Sequence, residues 1–363
     1  MNHPRLVLLL FLLLTTIGQL SGQDVQNSRR ISQKVTLSRT IGTTAVEINY
    51  HSPLAKGRKI FGGIVPYDFV VEGKEYAWRA GSNQRTTIEF AHDVNINASP
   101  LAAGKYGLVV LVSEKDWTFV FTNDFSWGAF QYEPSQDVLR VKVPVEKAHY
   151  QEWLSYDFGN PEAEAGEISL HWTDVRATFK VSTDVSQNII DALAAKEDKT
   201  FNDYLILAEE YRNKGEQDKA WENLQQATKK MEEQEVPQYE QFSYHILQAE
   251  LMLAKGDKSA KQQLQKTIKS AQGFNMYYYG LNTLLMKKEK KRAYRLLLQN
   301  SKDHPDQWQG FLALGEFYLV DGNQEKVVEN FRKAYELAPD NWKNYARYLY
   351  LQNRVQLERS GEK

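Results

Sequence analysis

The chain has 363 residues, 42% of them hydrophobic and 25% charged, with a formal net charge of −1. That length exceeds one typical domain and predicts two, each able to bury a core of its own. The balanced, well-mixed charge excludes the basic field that a nucleic-acid binder needs. The absence of cysteine excludes disulfides, a lipidated cysteine, and cysteine-based zinc or nucleophile sites.

In chain order, Arg5 is followed by the apolar run Leu6–Leu14 and then by small and polar residues from Thr15 to Gly22. This is the pattern of a secretory signal peptide, residues 1–22, cleaved between Gly18 and Gln23. The run is shorter than the roughly 20 apolar residues of a membrane span, and no second long apolar segment follows. The expectation is an exported protein, periplasmic or secreted, with no membrane span once the signal is removed.

Residues 23–184 alternate apolar and polar side chains with period two, which buries one face of a strand and wets the other. The segments are Lys34–Thr40, Thr44–Tyr50, Thr86–Phe90, Asp93–Asn97, Tyr106–Val112, Trp117–Thr122, Val138–Val145, Glu152–Phe158, Ile168–Trp172 and Val175–Val181. Asn97–Lys105, with Pro100 and Gly104, reads as a turn, and Ser113–Asp116 closes a hairpin. About ten short strands at this spacing predict an antiparallel β-sandwich or open barrel. Between the second and third strands, Ser52–Thr87 concentrates Gly, Pro, basic and aromatic residues with little strand period. It is the stretch expected to form a functional surface.

Several phrases in this half resemble a known family. They are Ser52-Pro53, Lys56-Gly57-Arg58-Lys59-Ile60-Phe61-Gly62, Val65-Pro66-Tyr67, Trp78-Arg79-Ala80-Gly81-Ser82-Asn83, Ala103-Gly104-Lys105-Tyr106, Asp116-Trp117, Trp127-Gly128-Ala129, Val141-Lys142-Val143 and the late Trp172. In this order they resemble the bacterial domain of unknown function 2911 family, over roughly residues 24–182. That family has no established activity, so the resemblance implies kinship and no reaction. It also implies an acidic residue and then a small one after the Gly-x-Asn; here those positions are Gln84 and Arg85, so any chemical role of that acid is absent from this chain.

From about Val185 the period lengthens to three or four. Residues 185–199 read as a helical connector. Residues 200–355 carry the marks of tetratricopeptide-like repeats. The first unit has Tyr204, Leu207, Ala208, Tyr211, Gly215, Ala220, Leu224 and Ala227; the last has Phe311, Leu314, Gly315, Tyr318, Gly322, Val327, Phe331, Ala334 and Pro339. Two weaker units lie between them, around Tyr244–Leu264 and Tyr277–Pro305. Small residues at Gly315 or Ala208 let paired helices approach, and stacked pairs bury what no pair can bury alone. Asn341–Arg354 would cap the stack, and 356–363 would fray as a charged tail.

The candidate binding residues are Lys56, Arg58, Lys59, Tyr67, Trp78, Arg79 and Asn83. Lys56, Arg58 and Lys59 could hold an anion with help from the Gly62 and Gly63 amides, or could simply be a solvated turn. Trp78 beside Arg79 offers a stacking face and a fork of donors; alternatively Trp78 is core and Arg79 ties a loop. The seven histidines lack metal-site spacing, although His51 and His171 could meet in space. Tyr277, Tyr278 and Tyr279 could line a binding face, or Tyr277 could be core with the other two at the rim. No catalytic residue, metal or cofactor is assigned. The reading is an exported, non-enzymatic binding or scaffold protein. The β module would take a small-molecule or anionic ligand or a partner, and the helices a protein or peptide. The alternative is a hydrolase-like periplasmic enzyme whose polar groups, among them His51, Arg79, Asn83 and Glu89, converge in the same loop region.

Overall fold

A computed structural model of the chain describes residues 31–126, 132–271, 273–283 and 289–361. The signal-like segment and the Trp127–Ala129 motif lie outside the described residues. The chain divides into two compact units at Ile189/Ile190. The first is β and the second all-α.

The β unit holds β1 (Gln33–Ile41), β2 (Thr44–Ser52), β3 (Val70–Val71), β4 (Lys74–Glu75), β5 (Thr86–Phe90), β6 (Val94–Ile96), β7 (Ser99–Leu101), β8 (Gly104–Val112), β9 (Asp116–Thr122), β10 (Asp137–Gly159) and β11 (Ala165–Ser182). Nine of these make one antiparallel sheet in the order β1-β2-β5-β8-β9-β10-β11-β6-β7, with β3 and β4 a separate small hairpin. The alternation of β2 places Val46, Ile48 and Tyr50 inward. They join Ile88, Leu108, Phe119, Phe121, Leu154, Trp172 and Phe179 in a single core.

Two features differ from the sequence expectation. The four late segments are two long strands, β10 and β11. The first half of β10 pairs with β9 and its second half with β11. Register shifts between Lys147, Gln151 and Ser155 let the strand bend without breaking its ladder, and those shifts interrupt the period-two pattern that would have revealed one strand. The expected turn at Asn97–Lys105 contains β7. Asn97 and Ala98 take positive φ of 45° and 69°, which makes a tight hairpin turn with Pro100 in a strand at the sheet's end.

The helical unit contains α2 (Phe201–Asn213), α3 (Gln217–Glu233), α4 (Gln238–Ala254), α5 (Ala260–Ser270), the short α6 (Phe274–Tyr277) running into a π-helical turn (Tyr278–Thr283), α7 (Lys290–Asp303), α8 (Trp308–Asp321), α9 (Gln324–Leu337) and α10 (Asp340–Gly361); α1 (Val185–Ala194) spans the division. A capping box starts α2: the Asp203 amide donates to Thr200 Oγ1, and the Thr200 amide donates to Asp203 Oδ2 at 2.7 Å. Helices pack on their neighbours through small residues. A Cβ on Gly315 would lie 2.4 Å from the Phe331 ring, and one on Gly280 would lie 2.5 Å from Leu297 Cδ2. The second-helix positions Ala220, Ala260, Ala293 and Val327 are all fully buried. The terminal helix runs to Gly361 rather than ending at Arg354, so most of the charged tail is helical. No described helix is long and apolar enough to cross a membrane.

Replacing Gly315 by valine forces two packed helices apart. The expected cost is about 1–3 kcal/mol from overpacking, read as a lower denaturant midpoint for the helical unit. Gly256→Ala, at a position with open space around it, checks that the loss reflects crowding; strain from its positive φ should cost less.

Candidate functional site

Pro53–Arg85 joins β2 to β5 and replaces β-structure that the sheet leaves unfinished. β5 reaches along β8 only as far as Leu108. Beyond that point Trp78 and Val110 exchange both backbone hydrogen bonds at 2.8 Å, and the Asp68 amide donates to the Val112 carbonyl at 2.9 Å. On the other side the chain after β2 turns onto β10: the Ala55 amide donates to Glu152 O at 2.7 Å and the Leu154 amide to Pro53 O at 3.0 Å. The segment therefore closes one end of the curled sheet. Ile60, Phe61 and Val65 pass into the core. Five of the nine non-glycine residues with positive φ among the described residues, Lys56, Asp68, Glu72, Ala80 and Asn83, lie in it. Such a path is held by tertiary contacts rather than local preference. Ala80 illustrates this: it is fully buried at φ 53°, and its carbonyl accepts from Thr86 Oγ1 at 2.9 Å and from the Tyr156 hydroxyl at 3.0 Å.

Between this segment and the strands lies a cavity of about 380 Å³. Trp78 and Trp172 form part of its wall, nearly parallel at 18° with ring centres 6.1 Å apart. Trp78 Nε1 donates to the Gly81 carbonyl at 3.2 Å, so its polar edge is already used. Pro66, Phe69 and Tyr76 come from the loop, and Val110 and Val112 from β8. Two arginines complete the lining. Arg79 is half-buried and donates from Nη1 to the Asn83 carbonyl at 3.0 Å; burial pulls its pKa down. Arg58 donates from Nε to Ala55 O at 2.9 Å and from Nη2 to Leu54 O at 2.6 Å.

Of the sequence candidates, the structure brings Arg58, Trp78 and Arg79 together around this cavity. The other four do not line it. Lys56 and Lys59 are exposed. The Lys56 amide donates to Glu152 Oε1 at 2.6 Å. Tyr67 lies over Gly62, where a Cβ would meet its ring at 2.6 Å. The Asn83 side-chain amide donates to the Ser32 carbonyl at 3.3 Å. The Gly62 and Gly63 amides, expected as possible anion donors, are taken by Val65 O and Ile60 O inside their own turn.

The polar set of the enzyme alternative does not converge on the cavity. Among His51, Arg79, Asn83 and Glu89 only Arg79 lines the cavity, and Glu89 is an exposed side chain 3.9 Å from Lys105. His171 is buried beside His149, with ring centres 4.8 Å apart, and its Nε2 bonds to the His149 carbonyl at 2.9 Å. Burial lowers the His171 pKa against the opposing pull of that carbonyl. Among the described residues no cluster of three or more potential metal ligands occurs.

Arg85, the departure from the family pattern, is a packing residue. It is 5% exposed and pairs with Asp124 at 2.7 Å, while Nη2 donates to Ser126 Oγ at 3.2 Å. Gly107 makes room for it: a Cβ there would lie 3.1 Å from Arg85 Cδ and 2.5 Å from the Asp124 carbonyl. Burial pushes the Asp124 pKa up, but the Ser126 amide and the Arg85 guanidinium outweigh it and hold the carboxyl below its ordinary value.

The helical unit has its own groove of about 660 Å³ between residues of α2, α4, α6 and α10. Tyr239, Tyr278 and Trp342 stand exposed along it, and Arg212 and Glu250 form an ion pair at its wall. The tyrosine run divides differently from either expectation. Tyr279 is buried, Tyr278 is exposed, and Tyr277 is half-buried with its hydroxyl donating to Glu316 at 2.8 Å.

Cavity walls such as Val110, Val112 and Phe69 carry no sequence mark of a site, because the valines read as ordinary inward strand positions. Trp172 is marked only by the family resemblance. Residues 32–181 match the family described as Protein of unknown function (DUF2911), which covers β1 to β11 nearly end to end. No curated protein matches the chain.

Arg85→Met should cost about 3–5 kcal/mol by stranding the buried Asp124 carboxylate, read as a lower melting temperature of the β unit. Because the native carboxyl titrates below its ordinary 3.8, the wild-type contribution is present above that value and fades as pH falls through the folded pKa. The gap between wild type and variant should therefore narrow under acid.

Proposed function

We propose that this chain is an exported, non-enzymatic binding protein. Its β module takes a small ligand in the cavity beneath Ser52–Thr87, and its helical half is a tetratricopeptide-like scaffold for a protein or peptide partner. One observation carries the reading of the β module. The Pro53–Arg85 segment holds a strained path whose tertiary contacts leave an apolar cavity with two arginines and no acidic residue in its lining. A mere connector would need neither the strain nor the space.

For the helical half, the support is the recurrence of close approaches. Gly280 against Leu297 and Gly315 against Phe331 repeat about one 34-residue period apart. The aromatic groove on α4, α6 and α10 is the surface on which such scaffolds hold extended segments. Export rests on the pattern of residues 1–22.

The cavity reading is tested by ligand-detected NMR with a mixed fragment set of acids, amides, amines and neutral aromatics. Fragments should bind the full-length protein and be displaced by Ser82→Trp, which adds an indole to the cavity lining, while the melting temperature stays within about 2–4 °C. Arg79→Ala should weaken capture more than it lowers the melting temperature. Retention of the same fragments by Ser82→Trp would place binding elsewhere and remove the cavity from the reading.

A further inference from the structure

We propose that the cavity is built for a small carboxylate with an apolar or aromatic carbon skeleton, an inference that rests on reading the cavity as a ligand site. The lining has one sign of charge: Arg58 and Arg79 contribute, and no aspartate or glutamate does. Two other arginines of this unit are compensated. Arg85 pairs with Asp124, and Arg140 with Asp137 and Glu75. Arg79 is different. The single described hydrogen bond of its guanidinium goes to a neutral carbonyl, from Nη1, and burial lowers its proton affinity. An arginine has five donors in a planar fork, so a face of the guanidinium remains for an acceptor pair. A half-buried cation without a counter-charge costs free energy, and an arriving anion repays it.

The shape of the site selects among anions. A carboxylate presents two oxygens that match a guanidinium fork in a bidentate contact. A phosphate brings three oxygens and nearly two charges, and beyond the arginines the lining offers only the hydroxyls of Ser32 and Ser82 and the Tyr76 side chain as polar groups. The remaining wall is the indole pair Trp78 and Trp172 with valine, proline and phenylalanine. That surface favours a flat hydrocarbon. The volume of about 380 Å³ lies near the small end of ligand pockets, which run from about 300 to 1,000 Å³. A free acid and the terminal carboxylate of a peptide ending in an aromatic residue share this chemistry.

Isothermal titration of the full-length protein with 3-phenylpropionate and with 3-phenylpropionamide separates charge from shape. The acid should bind at least tenfold more tightly than the amide, and more tightly than inorganic phosphate. Arg79→Gln should bring the acid to the affinity of the amide and leave the amide unchanged, at a melting temperature close to wild type; Arg79→Lys, which keeps charge without the fork, should recover part of the difference. The acid–amide comparison itself needs no variant. A pentapeptide ending in phenylalanine, with free or amidated terminus, assigns the source: tighter binding than the free acid points to a chain terminus, weaker binding to a small metabolite. Equal affinity for acid and amide overturns the carboxylate and leaves an apolar ligand cavity. Phosphate outcompeting the acid also overturns it. Binding of neither acid nor amide, with no fragment displaced by Ser82→Trp, overturns the cavity reading as well.

Discussion

β8 is longer than the strand beside it. From Val110 onward the edge of β8 turned away from β9 would lack a partner, and buried amides and carbonyls left unpaired cost about 1–3 kcal/mol each. The reciprocal Trp78–Val110 bonds and the Asp68–Val112 bond remove that cost. The rest of the β unit's functional geometry follows from this pairing. It pins the indole of Trp78 against Trp172 and fixes Arg79 one residue further on. It also forces the intervening chain over the end of the sheet, where Phe61 packs against Trp117 at 4.7 Å.

The cavity lies beneath that bridge and has a specific chemistry. Chain that must satisfy backbone bonds on two strands cannot also collapse fully onto the core, and the space between is lined by whatever side chains the path carries. Here those are aromatic rings, prolines and two arginines. Five strained residues, tied down by bonds such as those to the Ala80 carbonyl, keep the space from closing. Rigidity of this kind lowers the ordering cost of binding.

Much was legible in the residues. Period-two alternation marked Val46, Ile48 and Tyr50 as inward, and a three-to-four period marked Ala208, Ala220 and Phe331 as helix contacts; all six are buried. The density of glycine, proline, basic and aromatic residues sets Ser52–Thr87 apart from the strands on either side. What the pattern could not separate was the two uses of arginine within that stretch. Arg79 and Arg85 sit six positions apart in similar surroundings of sequence. One faces a cavity and the other a buried aspartate, and the difference comes from Asp124 and Gly107, distant in the chain.

Local side-chain chemistry and rhythm determined the class of each half, because burial of one strand face or one helix stripe leaves a periodic trace in the chain itself. The order of strands, the merging of four strand-like segments into β10 and β11, and the convergence of Arg58, Trp78, Arg79 and Trp172 were decided by tertiary structure. These depend on which backbone groups from remote segments find each other, and a hydrogen bond between main-chain atoms leaves no mark on the identity of the residues that make it.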